Sequence, residues 1–447
     1  MTPTRLSAAT AVSRRAVLRL LGTAGIVASV AACRRPGFLS RPEPTPEIKD
    51  LNLLVADEYL FLLEFETIEG PWSEVYPHWP LVVHESDLDG LFEQASQAAA
   101  EGSGAYDGIL PIPMPTETQA WLDFELIQPW DAHLEEGGLP GADRLVEGLD
   151  LPVREAARAR GQQMGLPINV SSIALAWLNS PLEAAGVIDA PITWDDTMLA
   201  AQAIKQSSSL IPFDRAFSPL SDLMAMIWSG EENPYTTDDH VKWDGEVALL
   251  ALTWLQDMVL SDLMPENERG FGMWMRGRTA IMTSVDLHGA VANTFQGAGN
   301  ADFATTGSNM RLERDSAKAG TPFWSNCMGL ARGARNIEGA AAFGIWWLGP
   351  DNIALQRRIA DVAPKPAYRY VYEHDLMADA KYDWQRAAMD TVRASVPLRP
   401  STTFAQELAV VSSWMEEALD PAGYVPAQDA LATAAREVRA VRGGTGG

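Results

Sequence analysis

The chain contains very little cysteine. Its 447 residues include only Cys33 and Cys327. If Cys33 carries a lipid, Cys327 has no partner, which excludes a disulfide framework. Two thiols are also too few for an iron–sulfur cluster, which takes about four thiolates.

The chain also lacks long apolar runs and the common catalytic motifs. Its longest later candidates, residues 247–255 and 340–348, are far shorter than the roughly 20 residues of a transmembrane helix, so we expect buried helices and a soluble mature body. No GxSxG elbow, HExxH pair or Walker loop occurs. A pair of glycosidase carboxylates could still hide among the many Asp and Glu residues, but their abundance is no evidence for one.

Positive charge is scarce. The chain has 34 basic and 59 acidic residues, a formal net charge of −25. Such a body should repel nucleic acid and anionic headgroups. Solubility alone explains the surplus, although it also favours neutral or cationic ligands over anionic ones.

The N-terminus has the features of an export signal. Arg14 and Arg15 follow Ser13, the 13 residues 20–32 are apolar or small, and Cys33 comes next. No acidic residue precedes Glu43. The pattern resembles a twin-arginine signal ending in a lipobox, so we expect residues 1–33 to be the signal segment and Cys33 to be lipidated.

The next 17 residues, 34–50, include four prolines and little apolar content. They cannot bury a core and predict an extended tether. At about 3.3 Å per residue the tether reaches on the order of 55 Å. The body should therefore be held to the outer face of a membrane through its lipid.

The remaining chain has the pattern of an α/β protein. Short apolar segments at 51–55, 81–84 and 106–112 predict strands, and residues 87–100 between the last two predict a helix. This spacing is typical of βαβ units with a parallel sheet. The second half is richer in helix, with strong helical patterns at 246–260, 339–348 and 427–439.

Residues 161–205 carry a family resemblance. They include Gly165-Leu166-Pro167, then the polar stretch 169–172, an apolar strand that ends at Asn179, and Thr193-Trp194-Asp195, where Thr193 suits a helix N-cap. This order resembles the family 1 extracellular solute-binding proteins, the carbohydrate-type receptors of ABC importers. Weaker matches at 275–282, 336–348 and 396–400 extend the resemblance over roughly residues 50–440.

The resemblance implies a two-lobed periplasmic-binding-protein-like fold with an interlobe ligand cleft and a helix-rich C-terminal lobe. On this basis lobe 1 comprises 51–168 and 327–365, lobe 2 comprises 169–326 and 366–440, and 441–447 form a disordered tail. The implied protein is a monomeric receptor without a cofactor. It captures a small polar solute, most simply a sugar, and delivers it to an ABC permease.

A sugar site needs a flat apolar face and convergent hydrogen-bonding groups. Each candidate could instead be a packing or turn residue. The leading candidates lie on the two chain crossovers, and others follow predicted strands or are scattered tryptophans and an arginine: Trp324, Asn326, Asn169, Ser171, Asp286, His288, Asp57, Tyr59, Trp228, Trp72 and Arg399. Where the family often has an aromatic platform, this chain has residues 284–288 without one.

The segment 368–374 permits a second interpretation. Tyr368, Tyr370, Tyr372 and His374 could ligate ferric iron, but alternating tyrosines fit a strand with one aromatic face equally well. We expect no metal there. Two other functions stay open: a secreted glycan-active hydrolase, and the ligand-binding partner of a membrane sensor.

Overall fold

A computed structural model describes residues 47–63, 65–135, 138–215, 218–236, 240–265, 273, 276–285, 303–305, 310–312, 320–362, 365–399 and 403–444. All of them belong to one compact unit, Glu47–Gly447. Most of the predicted signal and tether, including Cys33, lies outside these described residues.

The strands are β1 (Leu51–Ala56), β2 (Leu81–Ser86), β3 (Gly108–Met114), β4 (Ile127–Gln128), β5 (Arg158–Ala159), β6 (Gln162–Gln163), β7 (Leu166–Leu178), β8 (Ile211–Arg215), β9 (Thr279–Val285), β10 (Phe303–Thr305), β11 (Phe323–Ala331) and β12 (Lys365–Pro366). The α-helices of the first half are α1 (Asp57–Leu63), α2 (Phe65–Val75), α3 (Gly90–Ala100), α4 (Thr118–Asp123), α5 (Asp131–Leu134), α6 (Ala142–Glu147), α7 (Leu151–Ala156), α8 (Asn179–Ala184) and α9 (Trp194–Ser207). Those of the second half are α10 (Pro219–Gly230), α11 (Glu246–Leu260), α12 (Ile337–Leu348), α13 (Ile353–Val362), α14 (Arg369–Tyr372), α15 (Asp383–Ala394), α16 (Phe404–Leu419) and α17 (Ala427–Gly444).

The first three strands pair in parallel, as predicted. β1 pairs in parallel with both β2 and β3. Leu51, Leu53 and Val55 enter one hydrophobic cluster, whereas Leu54 and Ala56 enter another on the opposite face. A strand buried on both faces needs a nearly continuous apolar sequence, which is what residues 51–56 supply.

β7 connects the two halves of the molecule. Its 13 residues are all buried. Residues 166–172 pair with β11, and residues 173–177 pair with β9, which in turn pairs with β8. The sequence suggested a crossover followed by a separate strand, but the structure has one continuous strand, because both stretches find ladder partners. The sheet order is therefore β2-β1-β3-β11-β7-β9-β8.

Two further connections run beside β7. The backbone N–H of Thr321, just before β11, donates to Ser395 Oγ at 3.0 Å, and Thr321 Oγ1 donates to the Ile173 carbonyl at 2.8 Å. Ser395 follows α15, so the segments entering β11 and leaving α15 are both fastened to each other and to β7. Three chain crossings held together in this way form a hinge region.

Separate hydrophobic cores lie on the two sides of this hinge region. The lobe 1 core gathers residues of β1, β7, α12 and α15, and the lobe 2 core gathers residues of α9, α10, α11, α16 and α17. Among the described residues, no helix has both the length and the apolar character needed to cross a bilayer.

Two sequence-based boundaries are wrong. The apolar residues of 367–392, including Tyr368, Val371 and Met389, pack in the lobe 1 core, and the lobe 2 core resumes only at Leu398. Residues 366–395 therefore belong with lobe 1, because the apolar side of α15 packs there. The predicted disordered tail also begins too early, since α17 continues to Gly444.

Helix α9 begins at the predicted cap. The Thr193 side chain accepts a hydrogen bond from Asp196 N at 3.0 Å, and Thr193 N donates to Asp196 Oδ2 at 3.1 Å, a capping box. Behind this start, Trp194, Ala201 and Ile204 recur at helical spacing and are buried in the lobe 2 core.

We predict that Thr193→Ala lowers the free energy of unfolding by about 1 kcal/mol, because the hydrogen bond from Asp196 N to the Thr193 hydroxyl is lost. Urea unfolding measures the change. Thr253→Ala is the matched control, since Thr253 is exposed inside α11 and its hydroxyl bonds only to its own helix. A loss at Thr193 no larger than that at Thr253 would contradict the capping box.

Candidate functional site

Three predicted residues meet where β1 ends against the hinge region. Asn326 Nδ2 donates to Asn169 Oδ1 at 2.9 Å, and Asn169 Nδ2 donates to the Tyr59 hydroxyl at 3.3 Å. Asn169 is fully buried, whereas Tyr59 and Asn326 are partly exposed. We call Tyr59, Asn169 and Asn326 the amide–phenol cluster.

Two more predicted residues lie on the same face of the sheet. Asn326 pairs with Asn169, and Trp324 pairs with Ser171, across the antiparallel strands β11 and β7. Directly opposed residues, and residues two apart on one strand, project from the same face. The partly exposed ring of Trp324 is therefore on the side of the sheet that carries the amide–phenol cluster.

Burial keeps the Tyr59 hydroxyl protonated. Desolvation raises the pKa of Tyr59 well above its usual range, and the hydrogen bond from Asn169 only partly offsets this effect. A neutral phenol that accepts from Asn169 keeps its own O–H proton for another acceptor. The cluster thus offers both donors and acceptors, as a hydroxyl-rich ligand requires.

Carboxylates follow the C-terminal ends of the three parallel strands β1, β2 and β3. Asp57 and Glu58 follow β1, Asp87 and Asp89 follow β2, and Glu117 follows β3, so all five lie near the carboxyl ends of neighbouring parallel strands. Desolvation raises the pKa of Glu58, and the negative charges of Asp57 and Asp87 raise it further. Desolvation and the charge of Asp89 likewise raise the pKa of Glu117. We call these five residues the acidic rim; only Asp57 among them was predicted.

The opposite face of β7 contains a buried lysine that the sequence did not reveal. Lys365 on β12 is fully buried, pairs with Val170, and donates from Nζ to Ser172 Oγ at 2.9 Å. Desolvation lowers its pKa well below the usual range. Lysine is seldom buried, so no local pattern could have found this residue.

Two predicted ligand residues are packing residues instead. Trp72 is fully buried in the lobe 1 core, and its indole N–H donates to the Trp79 carbonyl at 2.7 Å. Trp228 is 2% exposed in the lobe 2 core, and its indole N–H donates to the Val396 carbonyl at 2.8 Å. The prediction that Trp72 and Trp228 contact the ligand is therefore wrong in this structure, because each ring is covered by the core and each indole N–H already donates to a carbonyl.

Arg399 lies at the end of the third crossing. Its backbone N–H donates to the Tyr235 hydroxyl at 2.7 Å, and its guanidinium lies 5.5 Å from the centre of that ring. The Tyr235 hydroxyl donates in turn to the Pro397 carbonyl. Trp228 and Tyr235 therefore anchor the segment 396–399 to lobe 2.

The tyrosine segment does not form the expected strand. After the short β12, residues 369–372 turn into α14, and Tyr370 and Tyr372 hydrogen-bond the backbone carbonyls of Leu348 and Pro366. Burial raises the pKa of both phenols. Among the described residues no group of three or more His, Cys, Asp or Glu side chains could hold a metal ion.

Asp286 and His288 lie outside the described residues, so their predicted roles stay predictions. Asp57 is exposed, and its Oδ1 accepts the backbone N–H of Glu58. The structure thus brings five of the predicted residues to one face of the hinge region and places Asp57 on the neighbouring rim.

The fold has counterparts among solved structures. The chain matches MalE from Xanthomonas citri at a TM-score of 0.73 and 13% identity, over 88% of this chain and 97% of that one. It matches maltose-bound T. maritima MalE3 at 0.70 and 14%, over 88% and 99%. It matches a D-mannitol-bound ABC transporter solute-binding protein from Agrobacterium vitis S4 at 0.67 and 17%, over 89% and 99%.

No family model matches the chain, and no curated protein matches it in sequence. The structural neighbours nevertheless cover nearly their whole length. The chain therefore has the two-lobed α/β fold of ABC-importer solute-binding proteins.

We predict that Tyr59 makes stability sensitive to alkaline pH. The Tyr59 hydroxyl ionises near pH 10 in the unfolded chain but keeps its proton to higher pH in the folded state. Its contribution to the free energy of unfolding is therefore complete below about pH 10 and is lost as the pH rises above that value. Relative to Tyr59→Phe, the wild type should lose up to about 1.4 kcal/mol of unfolding free energy per pH unit above that point.

Urea unfolding from pH 8 to 11 provides the measurement. Tyr424→Phe controls for removal of a hydroxyl, because the Tyr424 side chain is 52% exposed. If the difference between wild type and Tyr59→Phe stays constant over this range, Tyr59 is not held neutral.

Proposed function

We propose that this protein is the substrate-binding lipoprotein of an ABC importer, which captures a small polar solute of the sugar or polyol class and delivers it to a membrane permease. The amide–phenol cluster on the connecting strands of a two-lobed fold carries the proposal. Structural neighbours with bound maltose and D-mannitol support this ligand class.

The chemistry of the cluster suits neutral hydroxyl groups. The partly exposed Tyr59 and Asn326 supply donors and acceptors at one place, the buried Asn169 orients them both, and Trp324 supplies an apolar ring beside them. Because Asn169, Trp324 and Asn326 lie on the strands that join the lobes, a ligand held there can also contact lobe 2. Contacts made only in the closed form shift the equilibrium toward closure, since only differential affinity for the two states can do so.

The acidic rim narrows the ligand class. Besides desolvation, the negative charges of Asp57 and Asp87 raise the pKa of Glu58 and that of Asp89 raises the pKa of Glu117, so an added negative charge would be repelled. Neutral saccharides, polyols and cationic solutes such as polyamines are compatible with the rim, whereas uronic acids and sugar phosphates are not.

Export and anchoring complete the proposal. We infer that the chain is extracytoplasmic, is held to the membrane through a lipid on Cys33, and acts as a monomer that binds without turnover. Arg14 and Arg15 favour the twin-arginine route.

We predict that a thermal-shift screen over maltose, D-mannitol, longer saccharides, polyamines and glucuronate finds a stabilising neutral or cationic ligand. At a concentration of about 100 times its dissociation constant, this ligand should raise the free energy of unfolding by roughly 2.7 kcal/mol. Trp324→Ala and Asn169→Ala should each weaken binding by about tenfold or more, because the first removes a ring face and the second removes the two hydrogen bonds that orient Tyr59 and Asn326.

Trp228→Phe is the matched control, since it alters a buried indole of α10 in the lobe 2 core and should leave affinity unchanged. An unaltered affinity in both Trp324→Ala and Asn169→Ala would move the ligand away from this face. Release of shorter saccharides from an oligosaccharide would favour the glycan-active hydrolase instead.

We further predict that Cys33→Ser moves the exported protein from the membrane fraction to the soluble fraction, because a single thioether-linked residue carries the lipid. Fractionation with an antibody against the body measures the change, and Cys327→Ser is the control because Cys327 is buried. Retention of Cys33→Ser on membranes would contradict lipid anchoring.

A further inference from the structure

A pocket lies on lobe 1, formed by residues other than those of the amide–phenol cluster and the acidic rim. It has a volume of about 190 Å³ and opens between the end of α2, the start of α6 and the end of α12. The size suits one sugar-sized ring rather than a long ligand.

Two aromatic side chains form an apolar wall of the pocket. Tyr76 and Trp346 both line it and are both partly exposed. Both rings contact the buried Trp72, with ring centres at 4.3 Å for Tyr76 and 5.3 Å for Trp346. Tyr76 also stacks on Trp79 at 5.4 Å. The rings are thus held in place before any ligand arrives, which lowers the entropic cost of binding.

Trp346 is partly exposed, whereas the next residue on the same helix, Trp347, is not. Trp347 is fully buried in the lobe 1 core, whereas Trp346 on the same helix faces the pocket. An aromatic face left at a pocket wall can cover the C–H face of a pyranose while its N–H remains available for a hydroxyl.

Polar groups line the rest of the pocket. Arg144 donates to both carboxylate oxygens of Asp351, with a distance of 3.1 Å from Nη1 to Oδ1. A guanidinium has five N–H donors, so three remain after this pair. Asn352 Nδ2 donates to the Trp346 carbonyl at 2.6 Å, which fixes the amide beside the ring. The Arg144 and Asp351 charges balance, so the polar side favours neutral hydroxyls over an ionic ligand.

We propose that this pocket is a second saccharide-binding site, which takes one neutral ring of a glycan against Tyr76 and Trp346 and hydrogen-bonds its hydroxyls through Arg144, Asp351 and Asn352. It does not depend on the proposed ligand at the hinge region, because it shares none of those residues.

The test follows the Trp346 indole N–H signal in a proton–nitrogen correlation spectrum of the full chain, assigned with Trp346→Phe. Maltoheptaose, cellohexaose and xylohexaose are titrated separately. At least one should shift this signal saturably, and Arg144→Ala should raise the dissociation constant about tenfold, since charge-assisted bonds to hydroxyls are lost.

Arg439→Ala is the matched control, because Arg439 forms a similarly exposed ion pair with Asp244 at 3.0 Å. This variant should bind the oligosaccharide with the same dissociation constant as the wild type. The Arg144–Asp351 pair is exposed, so Arg144→Ala should fold normally, which the melting temperature checks.

Three results would overturn the second site: no shift with any of the three oligosaccharides, an unchanged dissociation constant in Arg144→Ala, or loss of the shift in Asn169→Ala. The last would mean that the Trp346 signal reports events at the hinge region. Conversely, a saturable shift that persists in Asn169→Ala supports the pocket even if no ligand is found for the amide–phenol cluster.

Discussion

The antiparallel pairing of β7 with β11 is the interaction on which the rest of the molecule depends. It joins the parallel sheet of lobe 1 to the strands of lobe 2, and its register sets Asn326 opposite Asn169 and Trp324 opposite Ser171. A slip of one residue would turn these side chains to the other face of the sheet, where Val170, Ser172 and Lys365 now lie. The same pairing therefore determines both the connection between the lobes and the position of the polar groups between them.

Buried polar groups in such a strand are costly unless they are bonded. Asn169 is fully buried, and it keeps its place because its amide oxygen and nitrogen both find partners, in Asn326 and Tyr59. Asn169 and its two partners come from three distant chain segments. The cluster thus ties β1 to both connecting strands, and its hydroxyl and amide groups are oriented before a ligand arrives. Preorganised donors and acceptors of this kind give affinity and specificity at a low cost in conformational entropy.

The charge distribution complements the hydrogen-bonding groups. A negatively charged rim follows the ends of three parallel strands, while the phenol beside it stays neutral because burial disfavours its ionised form. This charge distribution supports the proposal of a neutral or cationic solute. The surface pocket around Tyr76 and Trp346 differs, because its Arg144–Asp351 pair balances its own charge.

Local sequence was sufficient for features that depend on neighbouring residues. The apolar run at 51–55, the capping pattern at Thr193 and the helical repeat at 246–260 each specify an element through short-range sterics, hydrogen bonds and periodicity, and the structure has all three. The family pattern also placed Asn169, Ser171, Trp324 and Asn326 on crossing segments. Only the tertiary structure decided which side chains are covered and which meet. Trp228 is covered because its indole N–H bonds a carbonyl 168 residues away, residues 367–392 join lobe 1 because of the core they face, and Tyr59 reaches Asn169 across 110 residues. Such contacts depend on the packing of whole elements, which no local pattern encodes.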